Sequence, residues 1–257
     1  MKWWPFGRRA SENSPPPAPL QIPPSSANPV PASEYSPPIK PPAPMLSRGF
    51  VAEVFPRADV AAYAEALSAA MAAYHITSRF RIAHFLAQVG HESAGLTRLV
   101  EDMMYSTPGR ICATWPKRFP LDADAMPFVR QPQALANRVY GGRLGNVFPN
   151  DGWRFRGHGL IQVTGRTNHG RVAHALGWGE AESAPARLAA PAGAALGSAW
   201  WWADAGLNEM ADQGGGVMVE PITRRVNGGT HGLAERRALF ARVLNVMDVW
   251  KVGEPFS

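Results

Sequence analysis

Hydrophobic and polar residues follow a helical rhythm along most of the chain from Phe50 onward. The alanine-rich stretch VAAYAEALSAAMAAY predicts a helix with a small-residue face. In TSRFRIAHFLAQVGHE, Ile82, Phe85, Leu86 and Val89 recur at i, i+3, i+4 and i+7, one apolar stripe on one helix. Thr77 or Ser78 can cap its start. Residues 104–155 are rich in Pro, Gly and aromatics and read as loops with short helices. GLIQVTG could form a short strand, and GSAWWWADAGLNEMAD reads as a buried helix. The last helix, GLAERRALFARVLNVMDVW, carries Leu233, Leu239, Val243, Leu244 and Met247 at near-helical spacing. The expected fold class is mainly α, with at most a small β element.

The first 46 residues break this rhythm. They hold over half of the 25 prolines and few branched apolar residues. Proline lacks an amide donor and fixes φ, so the segment predicts an extended, disordered Pro-rich tail at 1–46, followed by one domain at 47–257. The longest apolar region, Pro191–Ala203, is shorter than the ~20 residues of a spanning helix and reads as a core helix, so no stable membrane insertion is expected. The N-terminal MKWWPFGRRA lacks the apolar core of a Sec signal, which predicts synthesis in the cytoplasm without one.

A formal charge of +6 favours polyanionic partners. No Lys/Arg run and no nucleic-acid-binding signature accompany it, so a nucleic-acid partner is not expected. The single cysteine, Cys112, excludes an intramolecular disulfide. The seven histidines are scattered without metal-ligand spacing, and no Gly-x-Ser-x-Gly is present. Neither a metal site nor a serine nucleophile is expected, and no cofactor is called for.

Carboxylates are the remaining candidates. Glu92 ends an apolar helix, where burial would raise its pKa and suit it to proton donation. A glutamate at a helix end is otherwise a solvated surface residue. Glu101 follows in LTRLVEDMMYS, with Asp102 as its neighbour and competitor. Glycoside hydrolysis commonly uses two carboxylates, ~6.5–9.5 Å apart in inverting enzymes. One straight helix would hold Glu92 and Glu101 ~13 Å apart and out of phase, so the chain must turn between them, at Ala94-Gly95. In RFRGHGLIQVTGRTNH, Gln162, Thr164 and Asn168 supply neutral donors and acceptors suited to sugar hydroxyls, acetamido groups or a water, or to a self-bonded turn. Asn227, in VNGG, either holds a turn or lines a cleft.

The ordered series FLAQVGHESAG, LVEDMMYS, ANRVYGGRLGN, RFRGHGLIQVTGRTNH, AWWWADAGLNEMAD and ITRRVNGGTHGLAERRALF resembles family 19 glycoside hydrolases over residues 80–245. The compact form looks closest to the bacterial and phage branch. The resemblance implies a bilobal, lysozyme-like fold with a substrate cleft and an inverting mechanism. By motif, Glu92 corresponds to the general acid and Glu101 to the general base. Thr164 corresponds to a residue holding the water, and Gln162, Asn168 and Asn227 to substrate contacts. Two positions depart from the pattern: His158 replaces a common Arg, and His169 replaces a Tyr. The expected function is endo-hydrolysis of β-1,4 bonds in peptidoglycan, as in a phage or prophage endolysin released through a holin pore to act on the wall as a monomer. Chitin hydrolysis is the alternative, and an inactive wall-binding module is a second.

Overall fold

The computed structural model describes residues 45–252. The proline-rich tail lies outside them except at its end, where Leu46 is buried and its N–H bonds to Ser68 Oγ at 2.9 Å. Thirteen α-helices follow among the described residues. The first three are α1 (Arg48–Val54), α2 (Val60–Ala73) and α3 (Arg79–Glu92). Each starts on a side-chain cap: Ser47 accepts from Phe50 N, Asp59 from Ala62 N and Ser78 from Arg81 N. Of the two expected caps for α3, Ser78 serves. The stripe Ile82, Phe85, Leu86 and Val89 is buried, as its spacing predicts. Ala83, His84, Ala87 and Gln88 are buried too, so α3 is enclosed on nearly every side, as a central core helix must be.

Short helices fill the next segment: α4 (Pro108–Thr114), α5 (Asp122–Ala125), α6 (Pro132–Tyr140) and α7 (Asp151–Arg154). They gather a small core of Met103, Ile111, Phe119, Leu135, Val139 and Tyr140, separate from the main one. The remaining helices are α8 (Arg166–Ala175), α9 (Ala184–Leu188), α10 (Pro191–Asp204), α11 (Leu207–Asp212), α12 (Val219–Asn227) and α13 (Leu233–Trp250). In the large core α10 packs on α2 and α13 on α3. The two cores are the two lobes of a lysozyme-like fold.

Two expectations need correction. GLIQVTG is not a strand: among the described residues the only β pairing is two isolated bridges, Val100–His158 and His158–Val163. His158 and Val163 exchange N–H···O bonds of 3.0 and 2.8 Å across a turn that needs left-handed backbone at Gly159 and Gln162, so the run folds back at once instead of extending. GSAWWWADAGLNEMAD is two helices. Gly206 takes φ 69° between α10 and α11, and a left-handed residue ends the helical ladder.

Candidate active site

Helix α3 stops at Glu92 because Ser93 closes it: its Oγ donates to Val89 O and accepts from Leu96 N. Ala94, Gly95 and Leu96 then run left-handed in succession, with φ of 54°, 76° and 65°. This is the reversal the spacing of the two glutamates requires, at the expected Ala94-Gly95. The returning chain pairs with the loop after α7 through the Val100–His158 bridge, and Glu101 N donates to Gly157 O at 2.8 Å.

Glu92 is buried rather than solvated. Its Oε1 accepts from Arg236, whose guanidinium is itself buried and also donates to Gln88 Oε1. Gln88 Nε2 in turn donates to Thr223 Oγ1 at 3.2 Å. Burial alone would raise the Glu92 pKa, as expected from sequence. The charge and hydrogen bond of Arg236, joined by His91 where it is protonated, outweigh it and hold the carboxyl below its usual range. His91 is pushed down to about 4 by burial and by Arg236, so it is neutral at neutral pH.

Glu101 sits on no helix. Tyr140 Oη donates to its Oε1 at 3.0 Å, and Gly157 N donates to its Oε2 at 3.1 Å. Loss of water around the carboxylate outweighs both hydrogen bonds and pushes its pKa up to about 7. The competitor Asp102 is exposed and closes a local turn by accepting from Met104 N at 2.8 Å.

Gln162, Thr164 and Asn168 form one connected group beside Glu101. Thr164 Oγ1 donates to Gln162 O at 3.1 Å, and Asn168 Nδ2 donates to Thr164 O at 2.8 Å. Gln162 Nε2 donates to Gly159 O, while its Oε1 is buried with no hydrogen-bond partner among the described residues. Gly157 is needed between them, because a Cβ there would lie 2.5 Å from Gln162 Oε1 and 3.3 Å from Glu101 Cβ.

Asn227 is linked to the other carboxylate through the His231 carbonyl and Arg236. It holds its turn with both polar atoms, Nδ2 donating to His231 O and Oδ1 accepting from Gly229 N. Arg236 Nε reaches the same His231 carbonyl at 3.4 Å. The six predicted residues thus fall into two clusters, Glu92 with Asn227 and Glu101 with Gln162, Thr164 and Asn168, joined by the Ala94–Leu96 reversal. His158 and His169 are buried and contact each other at 3.3 Å.

Sequence reasoning missed Arg236, Gln88 and Tyr140. Arg236 carried a usable signal: it falls in the i, i+3, i+7 stripe of Leu233, Phe240 and Met247, where a charge demands a buried partner. Gln88 lies one turn before Glu92 on the same helix face. For Tyr140 no spacing rule links α6 to Glu101.

No family model matches the chain. A protein of Haemophilus influenzae, described as a glycosyl hydrolase family 19 domain-containing protein, is 37% identical over 207 residues, covering 79% of this chain and 98% of that protein. Among solved structures, chitinase C from Streptomyces griseus superposes with a TM-score of 0.54 at 19% identity, over 80% of this chain and 78% of that one. A bacterial family 19 chitinase superposes with a TM-score of 0.50 at 21% identity, over 79% of this chain and 95% of that one.

Proposed function

Since the chain belongs to glycosyl hydrolase family 19 and is a glycoside hydrolase, we propose that it cleaves β-1,4 bonds of peptidoglycan from within the strand by a single inverting displacement. The observation that carries the two-carboxylate reading is the opposed tuning of Glu92 and Glu101. Their surroundings drive one pKa down and the other up to about 7, the separation that acid–base partners need.

In this reading Glu92 protonates the leaving oxygen and Glu101 activates water on the opposite face of the sugar. Thr164 helps hold that water. Gln162 Oε1, a buried acceptor without a partner among the described residues, suits the N–H of an acetamido group. Asn168 and Asn227 complete the contacts. Glu92 must acquire its proton when substrate enters, which requires the Arg236 ion pair to loosen. A second reading exchanges the roles. It is favoured by the direction of the two shifts, which let Glu101 hold the proton more readily than Glu92.

The preference for peptidoglycan over chitin rests on the +6 charge, which suits an anionic wall. The protein then acts on the wall as a monomer, released from the cytoplasm by a holin-type pore. Mass spectrometry of digests tests the substrate. Disaccharide-peptide fragments released from purified peptidoglycan faster than chitin oligomers are cut support this reading. Cleavage confined to chitin oligomers assigns the enzyme to chitin instead.

A further inference from the structure

The Val100–His158 pairing has two faces. Glu101 and Gly157 share one, since a Cβ on Gly157 would lie 3.3 Å from Glu101 Cβ. Side chains alternate across paired extended residues, so Val100, His158 and Arg156 address the other. On that second face they border a cavity of about 570 Å3 that takes in none of the six candidate site residues. Its size is that of a ligand pocket.

The lining is cationic and aromatic: Arg154, Arg156 and Arg166 meet Phe148 and Trp153, and Ala186 also lines it. Arg166 is neutralised, because it binds both oxygens of Asp151 and also pairs with Glu182. Arg154 is exposed, and among the described residues its one hydrogen bond is to Glu182 O, at 3.5 Å, with its guanidinium 5.7 Å from the Phe155 ring centroid. Arg156 lies 3.7 Å above the Trp153 ring and donates through Nε to Glu101 O and through Nη1 to Trp153 O. Its Nη2 makes no hydrogen bond among the described residues. Among the described residues neither Arg154 nor Arg156 is in an ion pair, although each feels a carboxylate at longer range, Glu182 for Arg154 and Glu101 for Arg156, and both lie in a concave site beside the 61% exposed ring of Phe148.

We propose that this cavity binds a carboxylate of a short acidic peptide, the stem peptide borne by the wall glycan, through Arg154 and Arg156, with Phe148 against its apolar side chains. The proposal rests on peptidoglycan being the substrate. A carboxylate matches the planar guanidinium fork, and charge-assisted pairs of this kind are the stronger hydrogen bonds of proteins. Arg156 also holds the Glu101 carbonyl, so a stem bound here is coupled to the strand that carries a candidate carboxylate.

The test titrates a soluble stem tetrapeptide into the full chain by calorimetry, beside Arg154→Gln and Ala186→Glu variants. Both substitutions fall on exposed positions outside the candidate active site. Saturable binding is expected for the unaltered chain, weakened about tenfold by Arg154→Gln and further by Ala186→Glu. The same peptide with its carboxylates amidated should not bind. On intact peptidoglycan both variants should be slower, while their rates on glycan strands stripped of peptide stay unchanged. Absence of saturable binding, equal binding by all three proteins, or displacement of the peptide by an equal concentration of inorganic phosphate overturns the proposal. Equal loss of rate on stripped and intact glycan by the variants also overturns it. If the unaltered chain cleaves neither glycan, the peptidoglycan reading itself falls, an outcome distinct from cleavage without peptide binding.

Discussion

Tyr140 donates its hydroxyl to Glu101 Oε1 at 3.0 Å and thereby ties the small lobe to a candidate catalytic carboxylate. The contact favours ionised Glu101, against the burial that raises its pKa to about 7. In Tyr140→Phe that support is lost and the Glu101 pKa should rise further. The pH at which Glu101 titrates, read from the kcat/KM profile, should move upward, and the rate should fall about tenfold if the lost hydrogen bond matters in the transition state. An unmoved profile in a folded variant would detach Tyr140 from the site.

Arg236 and Glu92 form a buried ion pair, with side chains 1% and 6% exposed. Removing one partner of such a pair typically costs about 3–5 kcal/mol, because the other charge is left buried and alone. Arg236→Met should therefore destabilise the fold strongly at neutral pH, and pairing it with Glu92→Gln should recover part of the loss. The sign with pH follows from the depressed Glu92 pKa. The pair's contribution is present above the ordinary carboxylate pKa and disappears as pH falls through the lower folded value. Denaturant titrations at several acidic pH values should show that loss in the native protein and not in the double variant.

How much of this was legible follows from where each residue sits. The buried stripe of α3 and the break at Ala94-Gly95 follow from local spacing and turn chemistry, which act over a few residues. The grouping of Gln162, Thr164 and Asn168 was visible because all three lie on one short segment. The direction of the Glu92 shift was not. It depends on Arg236, 144 positions away, brought near only when α13 packs on α3. GLIQVTG was misread for a related reason: its apolar alternation suits a strand, but left-handed Gly159 and Gln162 turn the backbone before a ladder can form. The Gly206 break was present in the sequence, and the apolar rhythm on both sides of it concealed it.

Gly157→Ala tests the crowding between Glu101 and Gln162. The added Cβ would lie 2.5 Å from Gln162 Oε1, closer than atoms tolerate, so Gln162 or the Glu101 strand must shift. Misplacement of about 1 Å can cost about a hundredfold in rate. A circular dichroism spectrum matching the native protein with a large fall in kcat is the expected pair of results. Near-native activity would mean that this loop is compliant and that the positions of Glu101 and Gln162 do not limit the reaction.

The two assignments of acid and base predict opposite pH behaviour, because Glu101 titrates at about 7. The kcat/KM profile reports groups of the free enzyme. If Glu101 is the base, it must be ionised, and kcat/KM should rise through pH 7. If Glu101 is the acid, it must be protonated, and kcat/KM should fall there. Leaving-group chemistry gives an independent answer. An aryl glycoside with a good leaving group needs no proton, so the variant lacking the acid retains activity on it and loses activity on the natural polymer. The variant lacking the base fails on both, and azide restores it by attacking in place of water. With Glu92 as acid, Glu92→Gln should spare the aryl substrate and Glu101→Ala should respond to azide. Thr164→Ala should be milder, since one hydrogen bond to the water is worth about 1–2 kcal/mol. Either assignment of an inverting pair gives the α-anomer first from a β-linked substrate, visible by proton NMR of a fresh digest. A β-anomer appearing first would mean retention, with a carboxylate or the substrate's own acetamido group attacking carbon, and would overturn the single displacement in which water attacks the sugar directly.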